Sequence, residues 1–520
     1  MAISTNAELI RSHGATQPDK VAVIAGDRQI TYGELDARSS QVANALAAEG
    51  VGVQDHVAFL DKNAPEHLEV VFGAAKLNAV SVAVNWRLAP PEVAYIVNDA
   101  DAKVLVIGAD FTSMLDAIAH DLVTVKKIVV IGQHDGYESY DDWVARQPST
   151  DPGAESAADD VALQLYSSGT TGRPKGVMLT NNNLFTALPN AQAGWRFHPD
   201  AVSLVAMPLF HIGGGGWALA SMYQGGTVVL HREVDPAAIV RDIPKYKITH
   251  AFIVPAVIQF MQMVPGASDA DYSSLELVLY GASPISEPVL VGAMATFGEV
   301  FMQAYGLTET TGQVVSMAPG DHEPGGERAH LLRAAGTADP GVELRIIDPA
   351  TLEDVPLGQV GEILVRSALN MKGYWKQPEE TAKALLPGGW LRTGDAGYLD
   401  AEGYLFIHDR VKDMIVSGAE NIYPAEIENV LMAHPAVTDA AVIGVPDERW
   451  GETPKALVVR SPGAEVTEQE LIDHCRGQLA KFKCPTSVEW IDALPRNPSG
   501  KILKKDLRAP YWEGRDRFVQ

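Results

Sequence analysis

The sequence predicts a large α/β domain, in which helices cover sheets on both faces, followed by a small α+β domain. Short apolar runs alternate with helix-like segments in the first part of the chain, starting with a strand at residues 20–26. The helix that follows opens with Thr31 and Glu34 in the spacing of a capping box. This alternation is typical of sheets packed between helices.

The domain organisation follows from a change of pattern late in the chain. Near residues 409–413 the signals restart as a compact, polar-rich series of helices and strands, which indicates a second domain of roughly a hundred residues. We therefore predict an N-terminal domain at residues 1–409, a hinge at residues 410–413 and a C-terminal domain at residues 414–520.

Charge limits the partners of the chain. Its 41 basic and 66 acidic residues give a formal net charge of −25. This balance argues against nucleic acid or an anionic membrane surface as a main partner, because both require a basic face. An anionic substrate would have to be bound by local Lys, Arg and backbone N–H groups against an unfavourable overall field.

Cysteine content and hydropathy predict a cytoplasmic protein. The two cysteines, Cys475 and Cys484, do not make a disulfide framework, which fits a reducing compartment. The first residues lack the basic and apolar regions of a secretory signal. The longest apolar stretch, residues 251–264, is shorter than the ~20 residues that span a bilayer and contains Pro255. We read it as a strand leading into a helix and predict no transmembrane segment.

A glycine- and hydroxyl-rich loop, YSSGTTGRPKG, occupies residues 166–176 and follows a predicted strand. Glycines let backbone N–H groups approach an anion closely, and the hydroxyls and Lys175 add further donors. The kinase-type P-loop needs G-x-x-x-x-G-K-[ST], and neither Gly169 nor Gly172 has that spacing. From these residues alone, a phosphate cradle and a glycine-rich hairpin without a ligand are the two remaining interpretations.

The same loop resembles the signature of the adenylate-forming (ANL) superfamily, and five further motifs follow in that family's order. They are PLFHIGGGGW (208–217), YGASP (280–284), QAYGLTET (303–310), GWLRTGD (389–395) and PRNPSGKILKKDLR (495–508). The resemblance covers nearly the whole chain and is strongest to bacterial acyl-CoA synthetases, the fatty-acid–CoA and aryl-acid–CoA ligases. It implies the ANL fold, in which the N-terminal AMP-binding domain includes a small β-barrel subdomain and the C-terminal domain is mobile.

The resemblance implies the residues that bind ATP and AMP. Tyr305 would stack on the adenine, Asp395 would accept hydrogen bonds from both ribose hydroxyls, and Arg410 would donate to the ribose or phosphate. The implied nucleotide site consists of Ser167, Ser168, Gly169, Thr170, Thr171, Gly172, Lys175, Gly281, Ala282, Ser283, Tyr305, Gly306, Leu307, Thr308, Asp395 and Arg410.

Three residues are implied as catalytic: Lys501, His211 and Glu309. Glu309, together with Thr170, would hold Mg²⁺ between phosphates, since this cation prefers oxygen ligands. Lys501 would place its ammonium between the substrate carboxylate and the α-phosphate as charge builds during adenylation. His211 would lie beside the substrate carboxylate.

The implied acyl site comprises His211, Gly213, Gly214, Trp217 and Ala304. Some aryl-acid ligases carry a bulky residue at the position of Gly213. Its absence here predicts room for a longer or wider acyl group, unless Trp217 fills the space. Ala304 stands where many relatives have a glycine at the end of the pocket, which would trim the pocket slightly.

The resemblance also implies a tunnel for the pantetheine arm of CoA. Ser417, Gly418 and Ala419 would border it after the C-terminal domain rotates about Lys412. Many relatives have a second glycine at the position of Ala419. We expect the added methyl group to be tolerated.

The predicted enzyme is an acyl-CoA synthetase, an AMP-forming acid–thiol ligase that uses ATP, Mg²⁺ and coenzyme A. It would convert a fatty acid or aryl acid to an acyl-adenylate with release of pyrophosphate, then transfer the acyl group to CoA with release of AMP. Two alternatives within the family are a ligase that loads a carrier protein and a luciferase-like oxygenase. The alternative outside it is a non-enzymatic nucleotide-binding protein. Medium- or long-chain fatty, aryl-propenoic and sterol side-chain acids remain open, as do monomer and homodimer.

Overall fold

Strands and helices alternate through the chain as the apolar periodicity predicts. The computed structural model describes residues 3–168, 174–283, 285–410, 413–417, 420–447, 450–496 and 502–513. The helices in these residues are α1 (Asn6–Thr16), α2 (Tyr32–Ala48), α3 (Pro65–Lys76), α4 (Pro90–Asp99), α5 (Thr112–Ile118), α6 (Tyr140–Ala145), α7 (Asn181–Trp195), α8 (Ile212–Tyr223), α9 (Pro236–Tyr246), α10 (Pro255–Gln262), α11 (Glu287–Phe297), α12 (Pro378–Ala384), α13 (Pro424–Met432), α14 (Glu468–Arg476) and α15 (Lys504–Arg508).

The strands are mostly short. They are β1 (Val21–Ala25), β2 (Arg28–Thr31), β3 (His56–Leu60), β4 (Val80–Ala83), β5 (Ala102–Gly108), β6 (Lys127–Ile131), β7 (Glu138–Ser139), β8 (Val161–Ser168), β9 (Pro174–Thr180), β10 (Val202–Val205), β11 (Thr227–Leu230), β12 (His250–Phe252), β13 (Leu277–Gly281), β14 (Phe301–Leu307), β15 (Gly312–Met317), β16 (Thr337–Ala338), β17 (Glu343–Ile347), β18 (Gly361–Arg366), β19 (Gly373–Tyr374), β20 (Leu385–Leu386), β21 (Trp390–Leu399), β22 (Leu405–Arg410), β23 (Ile415–Ser417), β24 (Glu420–Ile422), β25 (Val437–Asp447), β26 (Gly451–Arg460) and β27 (Ser487–Trp490).

Two large, mainly parallel sheets form the first part of the molecule. The nine-stranded sheet has the order β16-β15-β14-β13-β12-β10-β11-β1-β2, and the eight-stranded sheet has the order β19-β9-β8-β4-β3-β5-β6-β7. In the first, β12, β13 and β14 run parallel, so their carboxyl ends meet at one edge. Parallel strands need crossover connections, which explains the helix between most of them.

Two smaller sheets follow. An antiparallel sheet of order β17-β18-β21-β20, with β22 also paired to β21, stands where the resemblance implies a β-barrel subdomain. Its strand order is open at both ends within the part of the chain that the structure describes. The last sheet, β24-β23-β26-β25 with β27 beside β26, packs with α13 and α14 into a small α+β unit. The boundary at residues 409–413 stays a prediction.

Local sequence signals are confirmed where the structure can be compared with them. Thr31 and Glu34 form the expected reciprocal capping box at the start of α2. The apolar stretch at residues 251–264 is the end of β12 followed by α10, with Pro255 in the first turn, where its missing N–H has no helical partner to lose. No helix in the described ranges is both long and apolar enough to cross a bilayer.

Helix α8 lies between the two large sheets and positions the acyl side of the predicted site. One face packs on β10 and β11 of the nine-stranded sheet. The other face, which includes Ile212 and Leu219, meets Leu68 and Val71 of α3 and Leu163 of β8. These side chains belong to the largest cluster of buried apolar groups, or pack against it, and each fully buried one stabilises the fold by about 1.5–3 kcal/mol.

His67, on α3, makes stability depend on pH. It is buried edge-on against Phe59, and burial lowers the pKa of its imidazole to about 4. Below pH 6.5 the unfolded chain therefore binds a proton that the native state refuses, so stability falls as the pH drops from 6.5 to 4. In urea unfolding at pH 4.5 against pH 7.5, we expect His67→Leu to lose roughly 2–3 kcal/mol less than the wild type.

The exposed His120 provides the control, since His120→Gln removes a histidine that is not buried in the native state. This variant should show the same loss of stability as the wild type between the two pH values. An equal loss in His67→Leu and the wild type would contradict the assignment.

Candidate active site

The predicted phosphate loop joins two antiparallel strands, β8 and β9. Ser167 lies opposite Lys175 in the register of this hairpin. A strand follows the loop, whereas the kinase-type P-loop leads into a helix, so the structure agrees with the failed spacing. Residues 169–173, which connect the two strands in the sequence, and the side chain of Ser168 lie outside the described part. The predicted roles of Ser168, Gly169, Thr170, Thr171 and Gly172 stay predictions.

Glu309 is held by two hydroxyl groups from distant parts of the chain. It lies in a single 3-10 turn directly after β14. Its Oε1 accepts hydrogen bonds from Ser167 Oγ at 2.9 Å and from Tyr374 Oη at 3.1 Å. Ser167 and Tyr374 belong to the eight-stranded sheet, while Glu309 follows a strand of the nine-stranded sheet. The carboxylate therefore joins the two sheets at the predicted phosphate site.

Lys175 is held near the ring of Tyr374, whose hydroxyl donates to this carboxylate. Its side chain is only 7% exposed and forms an ion pair with Glu380, in the first turns of α12. Its Nζ lies 5.0 Å from the centroid of the Tyr374 ring. The hydrogen bond from Lys175, followed by one from Lys383, lowers the pKa of Glu380 to about 2. Glu380 therefore stays ionised and balances the lysine charge.

The sequence reasoning missed Tyr374 and Glu380. Tyr374 lies 65 residues from Glu309, and Glu380 lies 205 residues from Lys175, so no local pattern connects them. The position of Glu380 in the sequence also suggests no special role, because acidic residues are common in the first turn of a helix, where they complement the helix dipole. Two-residue strand β19 places Tyr374 by pairing antiparallel with β9.

The oxygen donors around Glu309 fit a magnesium ion. Mg²⁺ usually takes one or two carboxylates, retains waters and completes its shell with substrate phosphates. Glu309 supplies a carboxylate, and Ser167 and Tyr374 supply hydroxyls beside it. Among the residues that the structure describes, no group of three or more His, Cys, Asp or Glu side chains could hold a metal without the substrate. Thr170, the other predicted ligand, lies outside those residues.

The predicted adenine and ribose residues meet at the carboxyl edge of the nine-stranded sheet. Gly281 of β13 is in register with Ala304 of β14. The next residue along β14 is Tyr305, whose hydroxyl donates to Asp395 Oδ2 at 2.8 Å. Asp395 is buried on β21, opposite Arg410 in the β21–β22 register. The side chain of Arg410 lies outside the described part, so its donor role stays a prediction.

The backbone near this edge is closely packed at one residue and conformationally strained at another. A Cβ at Gly306 would lie 1.7 Å from the carbonyl oxygen of Gly312, so only glycine fits there. Ala282 has a φ of 66°, in the left-handed region that non-glycine residues seldom adopt. Such strain is frequent at functional sites. Of the other predicted nucleotide residues, Ser283 follows Ala282, Leu307 ends β14, and Thr308 begins the 3-10 turn that comes next.

His211 stands at the N-terminal end of α8 with a neutral ring. Its Nε2 is buried and has no hydrogen-bond partner among the described residues. Burial, and then the nearby positive charge of Arg87, lower the pKa of the imidazole to about 4. A buried nitrogen without a hydrogen-bond partner destabilises a native protein and therefore needs an explanation. A site whose bound ligand supplies the missing polar partner provides one. The sequence reasoning had assigned no role to Arg87.

The expected room beside Gly213 is filled. The ring of Phe252, from β12, lies so close that a Cβ at Gly213 would be 2.6 Å from its Cε1. Trp217 is 3% exposed and donates from Nε1 to the carbonyl of Leu204 at 3.1 Å. Gly214 packs on backbone, since a Cβ there would lie 2.2 Å from the carbonyl oxygen of Pro208. The spare space predicted from the glycine is therefore taken by the ring of Phe252.

Of the C-terminal residues that the resemblance implies for the hinge, the CoA tunnel and adenylation, Ser417 alone lies in the described ranges. Ser417 ends β23 and pairs with Glu420 and Gly451 within the last sheet. The remaining residues predicted for the hinge, the CoA tunnel and adenylation lie outside the described part: Lys412, Gly418, Ala419 and Lys501.

Comparison with known proteins identifies the family. Residues 10–375 match the family model described as AMP-binding enzyme, and residues 426–501 match the AMP-binding enzyme C-terminal domain. The chain belongs to the AMP-binding enzyme family. It is an adenylate-forming acid–thiol ligase with the ANL fold, so the predicted fold class and reaction class are confirmed.

Several relatives of this AMP-binding enzyme match almost end to end. The fatty acid–[acyl-carrier-protein] ligase ScoC of Streptomyces coeruleorubidus is 41% identical over 512 residues, covering 98% of this chain and 96% of the relative. Feruloyl-CoA synthase of an Amycolatopsis species is 39% identical over 500 residues, covering 95% and 96%. The solved structure of ATP-bound MatB from Rhodopseudomonas palustris has a TM-score of 0.88 at 33% identity, covering 97% of this chain and 99% of that one.

The hydroxyl of Tyr374 provides a test of the site in this AMP-binding enzyme. Tyr374→Phe removes a donor to the Glu309 carboxylate but keeps the ring beside Lys175. We expect kcat/KM for ATP in acid-dependent pyrophosphate release to fall roughly tenfold, as for loss of one hydrogen bond to a charged group. Tyr398→Phe is the matched control, because Tyr398 lies on β21 with its ring stacked on Phe406. Equal kcat/KM values for Tyr374→Phe and wild type would show that the hydroxyl does not support the reaction.

Proposed function

We propose that this enzyme is a cytoplasmic acyl-CoA synthetase that joins a carboxylic acid to coenzyme A, with ATP as co-substrate and Mg²⁺ as cofactor. The observation that carries the proposal is the arrangement around Glu309. A carboxylate and two hydroxyls converge beside the phosphate loop, and Lys175 lies against the ring of Tyr374. Close by in the chain order are β13, which ends at Gly281, and β14, which carries Tyr305 and leads into Glu309. This is a site for a nucleotide triphosphate and a metal, built where two sheets meet.

In the first half-reaction, an oxygen of the substrate carboxylate attacks the α-phosphorus of ATP. The bond from the α-phosphorus to the β-phosphate oxygen breaks, and pyrophosphate leaves. Ser167 and Lys175, with the loop that they flank, would bind the phosphates, and Glu309 would hold Mg²⁺, which supplies positive charge to the phosphates when bound. Lys501 would stabilise the charge on the α-phosphate. No protein nucleophile is needed, because positioning and charge neutralisation dominate this chemistry.

The neutral ring of His211 suits the acid end of the site. Since burial keeps its imidazole uncharged near neutral pH, the ring can meet the substrate carboxylate or the adenylate through one hydrogen bond at Nε2. The ribose would be bound by Asp395, whose Oδ2 is already oriented by Tyr305. This arrangement would keep the carboxylate in line with the α-phosphate.

In the second half-reaction, the thiol sulfur of CoA attacks the acyl carbon of the adenylate and loses its proton. The bond from that carbon to the phosphate oxygen breaks, and AMP leaves. We assign residues 410–413, which include Lys412, as the hinge between domains at residues 1–409 and 414–520. This hinge would bring Ser417, Gly418 and Ala419 to the site for this step.

A carrier protein is the second candidate acceptor. The specific support is the 41% identity to a ligase named for loading an acyl carrier protein, against 39% to one named for making a CoA thioester. Both acceptors present a thiol on a pantetheine arm, so the chemistry at the acyl carbon is the same. The acceptors differ outside the catalytic centre.

Lys501→Ala tests the adenylation step. We expect acid-dependent pyrophosphate release to fall by on the order of 10²–10³, since an ammonium that meets the developing charge is removed. ATP binding and thioester formation from synthetic acyl-adenylate should be largely retained. Lys505→Ala, which removes an exposed lysine from the same segment, is the control and should match the wild type. Equal rates for Lys501→Ala and wild type would remove Lys501 from the mechanism.

The acceptor is tested by supplying an acid that supports pyrophosphate release together with either CoA or a phosphopantetheinylated acyl carrier protein. We expect acyl-CoA to form, and Ala419→Gly to leave kcat/KM for CoA close to the wild-type value, because we expect the methyl group of Ala419 to be tolerated. Acyl-adenylate without acyl-CoA, together with a loaded carrier protein, would assign the enzyme to the carrier-protein class.

A further inference from the structure

The first turns of α8 present two different faces to the two large sheets. Gly213 and Trp217 are four residues apart and share the face toward the nine-stranded sheet. Gly216 and Leu219 share the opposite face, toward a narrow apolar crevice against β8 and α3. An acyl group that starts beside His211 could therefore extend along either face of this helix, and the packing of each face decides between them.

Phe252 bounds the face that carries Gly213. Ala251 of β12 and Ile253, the residue after this strand, line a separate apolar cavity on the far side of the sheet, so Phe252 between them points toward α8. A Cβ at Gly213 would lie 2.6 Å from Cε1 and 3.3 Å from Cζ of this ring. Real Cβ atoms do not approach a carbon so closely. The ring of Phe252 can lie here only because residue 213 is a glycine. The ring fills the space that a side chain at this position would occupy.

The ring of Phe252 packs near a cluster of further aromatic rings. The ring of Trp217 lies 6.2 Å from that of Phe252, 4.9 Å from Phe197 and 5.3 Å from Trp195. Trp217 and Trp195 each donate a hydrogen bond from Nε1, to the carbonyl of Leu204 and to Gln313 Oε1. Because these indoles are anchored by hydrogen bonds as well as by packing, the end of the space has little freedom to widen.

This face also leads to the nucleotide residues. Phe252 pairs with Leu279 of β13, two residues before Gly281, and Gly281 pairs with Ala304 of β14. Phe252, Gly281 and Ala304 therefore lie on three adjacent strands near the carboxyl edge where Tyr305 and Asp395 meet. The crevice on the other face of α8 is lined by His211 as well, together with residues of α3, β4 and β8.

The geometry points to Phe252 as the residue that determines acid specificity, closing the acyl space so that the enzyme accepts a short aliphatic chain or a compact single ring. Long-chain fatty acids and sterol side-chain acids would meet the rings of Phe252 and Trp217. This inference rests on the proposed function, because it concerns the acid that is adenylated.

The test is a chain-length profile of acid-dependent pyrophosphate release, from acetate to palmitate, with benzoate as the single ring. We expect the wild type to prefer short or compact acids. Phe252→Leu and Phe252→Ala should raise kcat/KM for the next longer acids by roughly tenfold or more, the usual discrimination per methylene in an apolar pocket. Phe301→Leu is the matched control, since Phe301 is buried in the same sheet but lines the cavity on its far side. Its profile should match the wild type.

A glycine pair on α8 distinguishes the two faces. Gly213→Ala forces its methyl against Phe252 and should lower kcat/KM for the preferred acid roughly tenfold, an effect that Phe252→Leu in the same chain should relieve. Gly216→Ala makes the same change toward the crevice, where its Cβ would lie 3.2 Å from the flexible end of Ile212. This variant should leave the profile unchanged.

Several outcomes would overturn the inference. A wild type that prefers palmitate, or a Phe252→Leu profile identical to the wild type, would remove Phe252 as the determinant. A profile shortened by Gly216→Ala but not by Gly213→Ala would place the acid in the crevice. These results differ from failure of the proposed function itself, in which no acid would support pyrophosphate release by the wild type. Thermal unfolding of each variant identifies those that fail to fold, and Phe252→Leu serves if Phe252→Ala is one of them.

Discussion

The site depends on the hydrogen bonds that hold one carboxylate, Glu309, between two sheets. Ser167 comes from the strand that enters the phosphate loop, Tyr374 comes from a two-residue edge strand of the same sheet, and Glu309 follows a strand of the other sheet. A charged acceptor with two hydroxyl donors is a strong link, because hydrogen bonds to ionised groups are shorter and stronger than neutral ones. The hydrogen bonds that connect the two sheets therefore also hold the carboxylate of the predicted metal site.

Charge is managed locally in a chain whose net charge is −25. Lys175 is almost fully buried and its charge is balanced by Glu380 rather than by water. A triphosphate that reaches Lys175 would meet a lysine already held in position, with little side-chain entropy left to lose. Glu380 must then share Lys175 with the phosphates or release it. Affinity for the nucleotide therefore depends on the difference in free energy between the Lys175–phosphate and Lys175–Glu380 ion pairs.

The acyl side is governed by packing rather than charge. Four successive glycines after Ile212 allow backbone and rings to approach α8 closely, and Phe252 occupies the room that one of them leaves. A glycine in a pocket therefore does not by itself mean a larger pocket, because protein interiors are close-packed and neighbouring side chains fill the space. His211 lies at the start of α8 with a neutral ring whose Nε2 is buried.

The sequence by itself determined the features that depend on residues near one another in the chain. These include the capping box of Thr31 and Glu34, the strand–loop–strand at the phosphate loop, the strand leading into a helix at Pro255, and the ordered motifs that gave the family and its reaction. The roles predicted for Lys501 and the CoA tunnel stay predictions. Only the tertiary structure decided that Tyr374 donates to Glu309 and that Glu380 pairs with Lys175. It also decided that Phe252 fills the space at Gly213. Such contacts join residues on different strands and helices, so they are set by sheet register and helix packing, which local patterns do not encode.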